Sequence, residues 1–265
     1  MDLRTGRSVW CAPLPPAPER PPLRADADAD VAIVGAGITG ALLADALTRE
    51  GLSVIVLDAR DPGLGSTAGS TGLLQYELDT SLTELSRRVG VRDARRAYAL
   101  GVRAIDDIER LSQGIACGFA RRRSLYLARD ASDVRTLESE FNARRDAGLG
   151  VRWLREDELE RAWGLCAASA IECDVAAEID PVRFTLGLLA RAEARGARVH
   201  GGSPVTTIET DAAGPGRGRV TTLTGAEVRC RWVVLATGYE SQAYLAQPAV
   251  DLHATYALST APADA

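Results

Sequence analysis

The sequence contains no lysine, so all 31 of its basic residues are arginine, as expected of a coding bias rather than of a function. It has two histidines, His200 and His253, which are too few and too isolated to indicate a metal centre. Its five cysteines form no C-x-x-C pair, which argues against a zinc site or a disulfide framework and for free thiols. We therefore predict no metal ligands.

Long apolar runs are also missing, and no stretch reaches the length of a transmembrane span. The N-terminus lacks the basic-then-apolar pattern of a signal peptide, so a cytoplasmic location is expected. The formal net charge is −5 and no basic run occurs, which argues against a nucleic-acid partner. The 265 residues, 46% hydrophobic and 25% charged, suit an ordinary globular protein of one large domain or two smaller ones.

The strongest pattern lies in residues 30–58. It predicts a buried strand (Val31–Val34), a glycine turn (Gly35 to Gly40), a helix (about Ile38 to Glu50), a second buried strand (Ser53–Leu57) and an acidic residue (Asp58). The glycines have G-x-G-x-x-G spacing, and this order of elements is typical of a dinucleotide-binding unit. A glycine-rich turn can be only a turn, but the flanking strand and helix favour the binding interpretation.

Each residue type in this unit has a physical reason. Gly35 allows a tight turn out of the strand, and Gly37 lacks a Cβ, so a pyrophosphate can approach its backbone. Gly40 lets the helix pack closely on the sheet. The helix N-terminus offers N–H groups and a partial positive charge to phosphates. Asp58 is placed to accept hydrogen bonds from an adenosine ribose, and its charge would repel a 2′-phosphate.

The flanks of this unit are less regular. Met1 to Asp28 is a proline-rich arm, which Trp10 either docks onto the body or leaves as a loose surface contact. After Asp58 comes a loop, Ala59 to Leu74, that is dense in glycine and hydroxyl groups. We expect it to contact a second part of an extended cofactor, and the alternative is a flexible surface loop.

Residues 80 to 170 read as an inserted second lobe. The predicted features are a capping box at Ser81 and Glu84, a helix from Asp93, a strand at Ser124–Ala128, a helix at Asp133–Ala147, a strand at Val151–Leu154 and a helix at Asp157–Trp163.

The dinucleotide domain then resumes. Asp180-Pro181 begins a helix to about Arg195, followed by strands at Ala197–His200 and Val205–Glu209, a hairpin at Ala213–Gly218, a strand at Arg219–Leu223, and a buried parallel strand within Arg231 to Gly238. A Rossmann-like domain interrupted in this way favours FAD over NAD, because nicotinamide domains are usually contiguous.

The fold class predicted is α/β: a discontinuous Rossmann-like FAD-binding domain with an inserted α+β substrate lobe, which the family resemblance described next implies to be incomplete at its C-terminus. The predicted segments are an arm (1–28), the FAD-binding domain (29–80 and 171–248), the substrate lobe (81–170) and the start of a substrate-domain strand (249–265).

On these motifs the sequence resembles the FAD-dependent amine and amino-acid oxidoreductases of the D-amino-acid oxidase, glycine oxidase and sarcosine oxidase superfamily, from about Asp30 to the C-terminus. The resemblance rests on the glycine motif with Asp58, the Gly65–Leu74 loop, Asp180-Pro181 and Ala236-Thr237-Gly238. The FAD-binding residues that it implies are Gly35, Gly37, Ile38, Thr39, Gly40, Asp58, Ala59, Arg60, Ser66, Thr67, Thr71, Gly72, Leu73, Val205, Ala236, Thr237 and Gly238.

The resemblance also implies a reaction: dehydrogenation of a C–N bond in an amino acid or amine, with hydride passing to flavin N5 and the imine hydrolysing in water. In the family, residues that hold the substrate carboxylate lie largely in a C-terminal portion beyond the point where this chain stops, Ala265. We therefore assign no catalytic residue. Arg60, Tyr76 and Tyr239 lie near the motifs, but residues of these kinds are more often surface or packing residues.

Two alternatives stay open. The chain could be a non-catalytic or partner-dependent flavin-binding subunit of a split oxidoreductase, with a protein partner or self-association through the incomplete C-terminal sheet. Such an edge would make the isolated chain prone to aggregation. An NAD-dependent dehydrogenase is disfavoured by the interrupted domain and by the Gly65–Leu74 loop.

Overall fold

A computed structural model describes residues 8–11, 19–210 and 218–244 of the chain. In chain order its elements are β1 (Ala27–Val34), α1 (Ile38–Arg49), β2 (Val54–Leu57), β3 (Leu73–Gln75), α2 (Leu82–Val89), α3 (Val91–Ser112), β4 (Ala120–Ala128), α4 (Val134–Asp146), β5 (Val151–Arg155), α5 (Glu156–Trp163), β6 (Ser169–Glu178), α6 (Pro181–Glu193), β7 (Arg198–His200), β8 (Val205–Thr210), β9 (Gly218–Thr222) and β10 (Glu227–Leu235). Short 3₁₀ turns occupy Val9–Cys11, Ser66–Gly69 and Gly238–Tyr244.

The chain divides into two units. The first comprises the described residues within Met1–Thr71, Ile115–Cys117 and Asp180–Ala265, and the second comprises Gly72–Gly114 and Gly118–Ile179. The chain therefore leaves the first unit after Thr71 and returns to it at Asp180, apart from the short segment Ile115–Cys117.

The first unit is built on a six-stranded sheet in the order β7-β2-β1-β10-β9-β8. Strands β7, β2, β1 and β10 are parallel, whereas β8 and β9 extend the sheet from β10 as antiparallel neighbours. Because the carboxyl ends of parallel strands lie at one edge, the segments that follow these four strands meet there. Open α/β sheets bind their ligands at this edge.

Helices α1 and α6 pack against each other in this unit. Small residues of α1, including Ala41 and Ala44, are completely buried. The buried carboxylate of Asp45 accepts hydrogen bonds from Arg191 and Arg195 of the α6 segment, which satisfies its charge. The helix that follows the glycine turn is thereby fixed in place.

The strand predicted within Arg231 to Gly238 is less buried than expected. β10 does run parallel to β1, but Trp232 is 51% exposed and Leu235 is 43% exposed. The reason is that β9 pairs with β10 only as far as Cys230. Beyond that residue, none of the strands described borders the second edge of β10.

The second unit is organised around β6. This strand pairs antiparallel with β3, β4 and β5. No strand is predicted here from the sequence, because residues 169–178 mix small residues with Glu172 and Asp174, contain no β-branched run, and alternate between apolar and polar only from Ile171 to Val175. Glu172 is nevertheless buried, and its carboxylate accepts hydrogen bonds from Arg123, Arg152 and the indole of Trp163.

The predicted domain boundaries differ from the boundaries of the two units, because strand β6 was not predicted. Residues 72–80 and 171–179 were assigned to the FAD-binding domain, but they belong to the second unit because β3 and β6 are hydrogen-bonded to each other. Three strands also begin earlier than predicted, at Ala27, Ala120 and Glu227, where pairing with a neighbouring strand extends them. The predicted segments at 211–217 and 249–265 lie outside the described residues.

The N-terminus of α2 is capped in two ways. Ser81 Oγ accepts a hydrogen bond from the amide of Glu84, which is half of the predicted capping box. The Glu84 side chain pairs instead with two arginines of its own helix. The remaining amides of the first turn, those of Leu82 and Thr83, donate to the carboxylate of Glu140 on α4, at 2.9 Å each.

Glu140 and Arg144 form a buried ion pair in this unit. The Arg144 side chain is 2% exposed and its Nε donates to Glu140 Oε1 over 2.8 Å. The rings of Tyr76 and Tyr98 lie 5.8 Å from its guanidinium carbon. Burial acts to raise the pKa of Glu140, but hydrogen bonds from Thr83, Arg144 and the α2 amides outweigh it, and the pKa is lowered.

Candidate cofactor site

Two of the three motif glycines are required by the packing of the chain itself. Gly35 follows β1 with φ +108°, and a Cβ on it would overlap the carbonyl oxygen of Ala236. A Cβ on Gly40 would overlap the carbonyl oxygen of Gly35 and lie 3.4 Å from Ile33 Cγ2. These contacts agree with the roles predicted for the tight turn and for close packing of α1 on the sheet.

Gly37 is different, because its surroundings leave room. It has an ordinary φ of −74°, and among the described residues the only atom within 4 Å of a Cβ added there would be Thr67 Oγ1, at 3.0 Å. The absence of a side chain at Gly37 is therefore not demanded by the protein's own backbone. A ligand that approaches the main chain at this point is the simplest reason for a glycine here.

The N-terminus of α1 suits an anion. Gly37 is the N-cap and provides no side-chain cap, and the first turn contains no acidic residue. The amide of Ile38 donates to Thr67 Oγ1 over 3.0 Å. The partial positive charge of the helix end is thus not cancelled by a nearby carboxylate of the helix, as a pyrophosphate site requires.

Asp58 follows β2 and joins two segments of the site. Its Oδ2 accepts a hydrogen bond from the amide of Ala36 over 2.6 Å, and its Oδ1 accepts one from the amide of Arg60 over 2.8 Å. Burial raises the pKa of Asp58 and outweighs the opposing effect of these two amides and of the Arg60 charge. Each carboxylate oxygen has a second acceptor site that a ribose hydroxyl could use.

The hydroxyl-rich loop packs against the glycine turn. Thr67 and Ala68 are buried, so the alternative of a flexible surface loop does not describe these residues. Ser66 Oγ lies 3.2 Å from where a Cβ on Gly238 would stand. On the other side of the loop, the indole N–H of Trp10 donates to the carbonyl oxygen of Ser70 over 2.7 Å, which docks residues 8–11 onto it.

The segments that follow β7 and β10 complete the arrangement. The amide of Ala236 donates to the carbonyl oxygen of Val34, and Gly238 has φ +57°. The amide of Ser203 donates to the carbonyl oxygen of Asp58 over 2.6 Å, and half-buried Val205 follows at the start of β8. The structure thus brings Gly35–Gly40, Asp58–Arg60, Ser66–Thr67 and Ala236–Gly238 together within the first unit.

Other predicted residues are placed differently. Thr71 ends the first stretch of the first unit, whereas Gly72 and Leu73 belong to the second unit. The FAD contacts expected of these three residues stay predictions. Two tyrosines near the motifs were considered for the substrate. Tyr76 is buried in the core of the second unit, and Tyr239 is 60% exposed.

One residue of the site was missed. Glu240 forms an ion pair with Arg60 over 2.8 Å, and the two residues are separated by 180 positions in the sequence. No sequence signal predicts this partner, apart from its position two residues after Ala236-Thr237-Gly238.

The family model described as FAD dependent oxidoreductase (DAO) matches residues 30–265, which includes every segment of this site. The chain belongs to this family. That finding confirms the resemblance and, for the family, the FAD cofactor that we expected from the sequence. The α/β fold class is confirmed by the solved structures that share the fold.

Three proteins show what this chain is similar to. The Bacillus subtilis putative Rieske 2Fe-2S iron-sulfur protein YhfW is 24% identical over 84% of this chain and 42% of its own length. Glycine oxidase from Geobacillus kaustophilus has a TM-score of 0.67 at 24% identity, covering 80% of this chain and 56% of that one. The FAD-bound L-α-glycerophosphate oxidase from Mycoplasma pneumoniae has a TM-score of 0.69 at 16% identity, covering 82% and 56%.

The chain therefore spans about half the length of these relatives. At such identities the structural similarity shows the fold alone. Among the helices that the structure describes, none is both long enough and apolar enough to cross a membrane.

We expect Asp58→Ala to weaken FAD binding by about 1.5 to 3 kcal/mol, the usual value of a hydrogen bond to a charged group. This corresponds to a roughly ten- to hundred-fold rise in Kd. The substitution also removes the two amide contacts of the carboxylate, so thermal unfolding of the cofactor-free variant must be measured alongside. Unchanged affinity in a titration of free FAD fluorescence would place the ribose elsewhere.

Proposed function

We propose that the first unit binds FAD and that this chain serves in the dehydrogenation of a C–N bond of an amino acid or amine. The observation that carries the cofactor part is Gly37, the N-cap of α1, which presents no side chain at the start of a helix whose first turn contains no acidic residue. Glycine oxidase, a protein of the same fold, supports the choice of an amino acid or amine as substrate.

Each part of the site would hold one part of the cofactor. The amides at the start of α1, with Gly37 beside them, would bind the pyrophosphate. Asp58 would accept hydrogen bonds from the ribose, and the hydroxyls of Ser66 and Thr67 lie next to the phosphate position. FAD, when bound, supplies the acceptor for the substrate hydride. The protein's own task is to orient the cofactor and to exclude a 2′-phosphate on the adenosine ribose.

The fold alone does not select C–N over C–O chemistry, because a glycerophosphate oxidase shares it. The second candidate, a flavin-binding chain that acts only with a partner, stays a prediction. A cytoplasmic location stays a prediction.

The test is the visible absorption spectrum of the purified protein, recorded without oxygen. Flavin bands that are bleached by an amino acid or amine support the proposal, and bleaching by L-α-glycerophosphate alone would replace the C–N assignment by C–O. Flavin bands that no compound bleaches would favour the partner-dependent candidate. A protein that acquires no flavin from added FAD, while remaining folded by circular dichroism, would contradict the proposal.

A further inference from the structure

Arg60 and Glu240 form a two-point ion pair. Arg60 Nη2 donates to Glu240 Oε1 over 2.8 Å, and Nη1 donates to Oε2 over 3.1 Å. Both side chains are about one-third exposed, at 37% and 31%. The paired geometry fixes the plane of the guanidinium as well as its position.

This ion pair lies where three segments of the first unit meet. The amide of Arg60 donates to Asp58 Oδ1, and the carbonyl oxygen of Arg60 accepts a hydrogen bond from the amide of Gly202. Glu240 belongs to the 3₁₀ turn that begins at Gly238. The guanidinium therefore belongs to the residue whose amide contacts Asp58, the carboxylate that we propose to bind the ribose. Its ion-pair partner, Glu240, belongs to the segment that follows β10.

The charges of these groups bear on which ribose can bind. In dinucleotide sites, an acidic residue at the end of the second strand accepts the ribose 2′-hydroxyl, and a nearby arginine instead accommodates a 2′-phosphate. This protein has both an aspartate and an arginine there. Its guanidinium, however, donates to both oxygens of Glu240, and the hydrogen bond from Arg60 lowers the pKa of that carboxyl, which keeps it ionised at neutral pH.

We propose that Glu240 is a specificity-determining residue of the adenosine site. By engaging Arg60, it withholds the cation that a 2′-phosphate would need, so that the site accepts a ribose with a free 2′-hydroxyl. The inference rests on the proposed FAD site, because it presumes that Asp58 faces an adenosine ribose. It extends that site by a residue from a distant part of the sequence.

The test uses two probes that differ only in the phosphate, ADP-ribose and 2′-phospho-ADP-ribose, with affinities measured by calorimetry on the full chain. Wild type should prefer ADP-ribose. In Glu240→Ala the ratio of the two dissociation constants should shift about ten-fold towards the phosphorylated probe, the value of one hydrogen bond to a charged group. In the double variant Arg60→Ala/Glu240→Ala the ratio should return to that of wild type.

Glu109→Ala is the control variant, because it removes one of the two carboxylate partners of Arg121 in the second unit, the other being Asp106, and should leave the ratio unchanged. Glu240→Gln keeps the side-chain size and should shift the ratio in the same direction as Glu240→Ala. Such exposed pairs contribute little to folding, so both variants should fold, which circular dichroism checks.

An unchanged ratio in Glu240→Ala overturns the inference, and so does a shift that persists in the double variant, since Arg60 would then not mediate it. If the wild-type protein prefers ADP-ribose but acquires no flavin bands with FAD, the proposed function is refuted. The inference on Glu240 is then still decided by the ratio of the two dissociation constants. Wild type that binds neither probe and no FAD overturns both.

Discussion

Gly37→Val is expected to lower FAD affinity by roughly a hundred-fold or more while leaving the fold intact. The valine side chain would occupy the space beside the α1 N-terminus, and the loss of two charge-assisted hydrogen bonds to phosphate amounts to about 3 kcal/mol or more. Gly37 has an ordinary φ, and its only described neighbour in the Cβ direction is a side-chain hydroxyl, Thr67 Oγ1, at 3.0 Å, which accepts the hydrogen bond of the Ile38 amide. The measurement is flavin content after purification, together with the thermal midpoint of the cofactor-free protein.

Gly40→Ala provides the matched control. Its Cβ would overlap the carbonyl oxygen of Gly35, which is backbone and cannot rotate away. We expect a loss of about 3 kcal/mol or more of unfolding free energy, because overpacking against backbone forces α1 away from the sheet. If Gly37→Val purifies with a full complement of flavin, the glycine turn is not the phosphate site. If it melts as early as Gly40→Ala, the fold itself requires the glycine, and Gly37 gives no evidence for a ligand.

Glu140→Ala is expected to destabilise the second unit by about 3 to 5 kcal/mol, the usual consequence of removing one partner of a buried ion pair. Two things are lost together. Arg144, 2% exposed, loses the carboxylate that its Nε contacts and keeps, among the described carboxylates, only Glu77, whose Oε1 lies 3.3 Å from its Nη1. The amides of Leu82 and Thr83 at the start of α2 lose their acceptor. Urea unfolding followed by circular dichroism measures the effect. The matched control is Glu138→Ala, an exposed residue of the same helix, which should change stability by less than about 0.5 kcal/mol.

The pH dependence of this effect has a definite sign. The folded-state pKa of Glu140 is lowered, so its contribution to stability is fully present above the ordinary pKa of a glutamate. That contribution is lost as the pH falls through the lower folded-state value. The difference between wild type and Glu140→Ala should therefore narrow under acid conditions. A difference that stays constant into the acid range would show that Glu140 acts through packing rather than through its charge.

The second unit shows what could not be predicted from the sequence. Strand β6 has no β-branched run and carries the buried charge of Glu172, and its alternation of apolar and polar residues covers only Ile171 to Val175, so its local signal is weak. It forms because three other strands pair with it and because arginines from two of them neutralise its carboxylate. The capping of α2 by Glu140 is of the same kind, since donor and acceptor are 58 positions apart.

In the first unit, the sequence by itself determined the strand, glycine turn, helix and second strand around Gly35 and Asp58, and through them the dinucleotide-binding fold. Periodicity, glycine spacing and a terminal carboxylate are local signals that reflect local geometry. Only the tertiary structure decided which glycine faces open space, how far β10 is covered, and that Glu240 holds Arg60. These features depend on which segments the folded sheet brings to one edge, and distances between remote segments leave no periodic trace in the sequence.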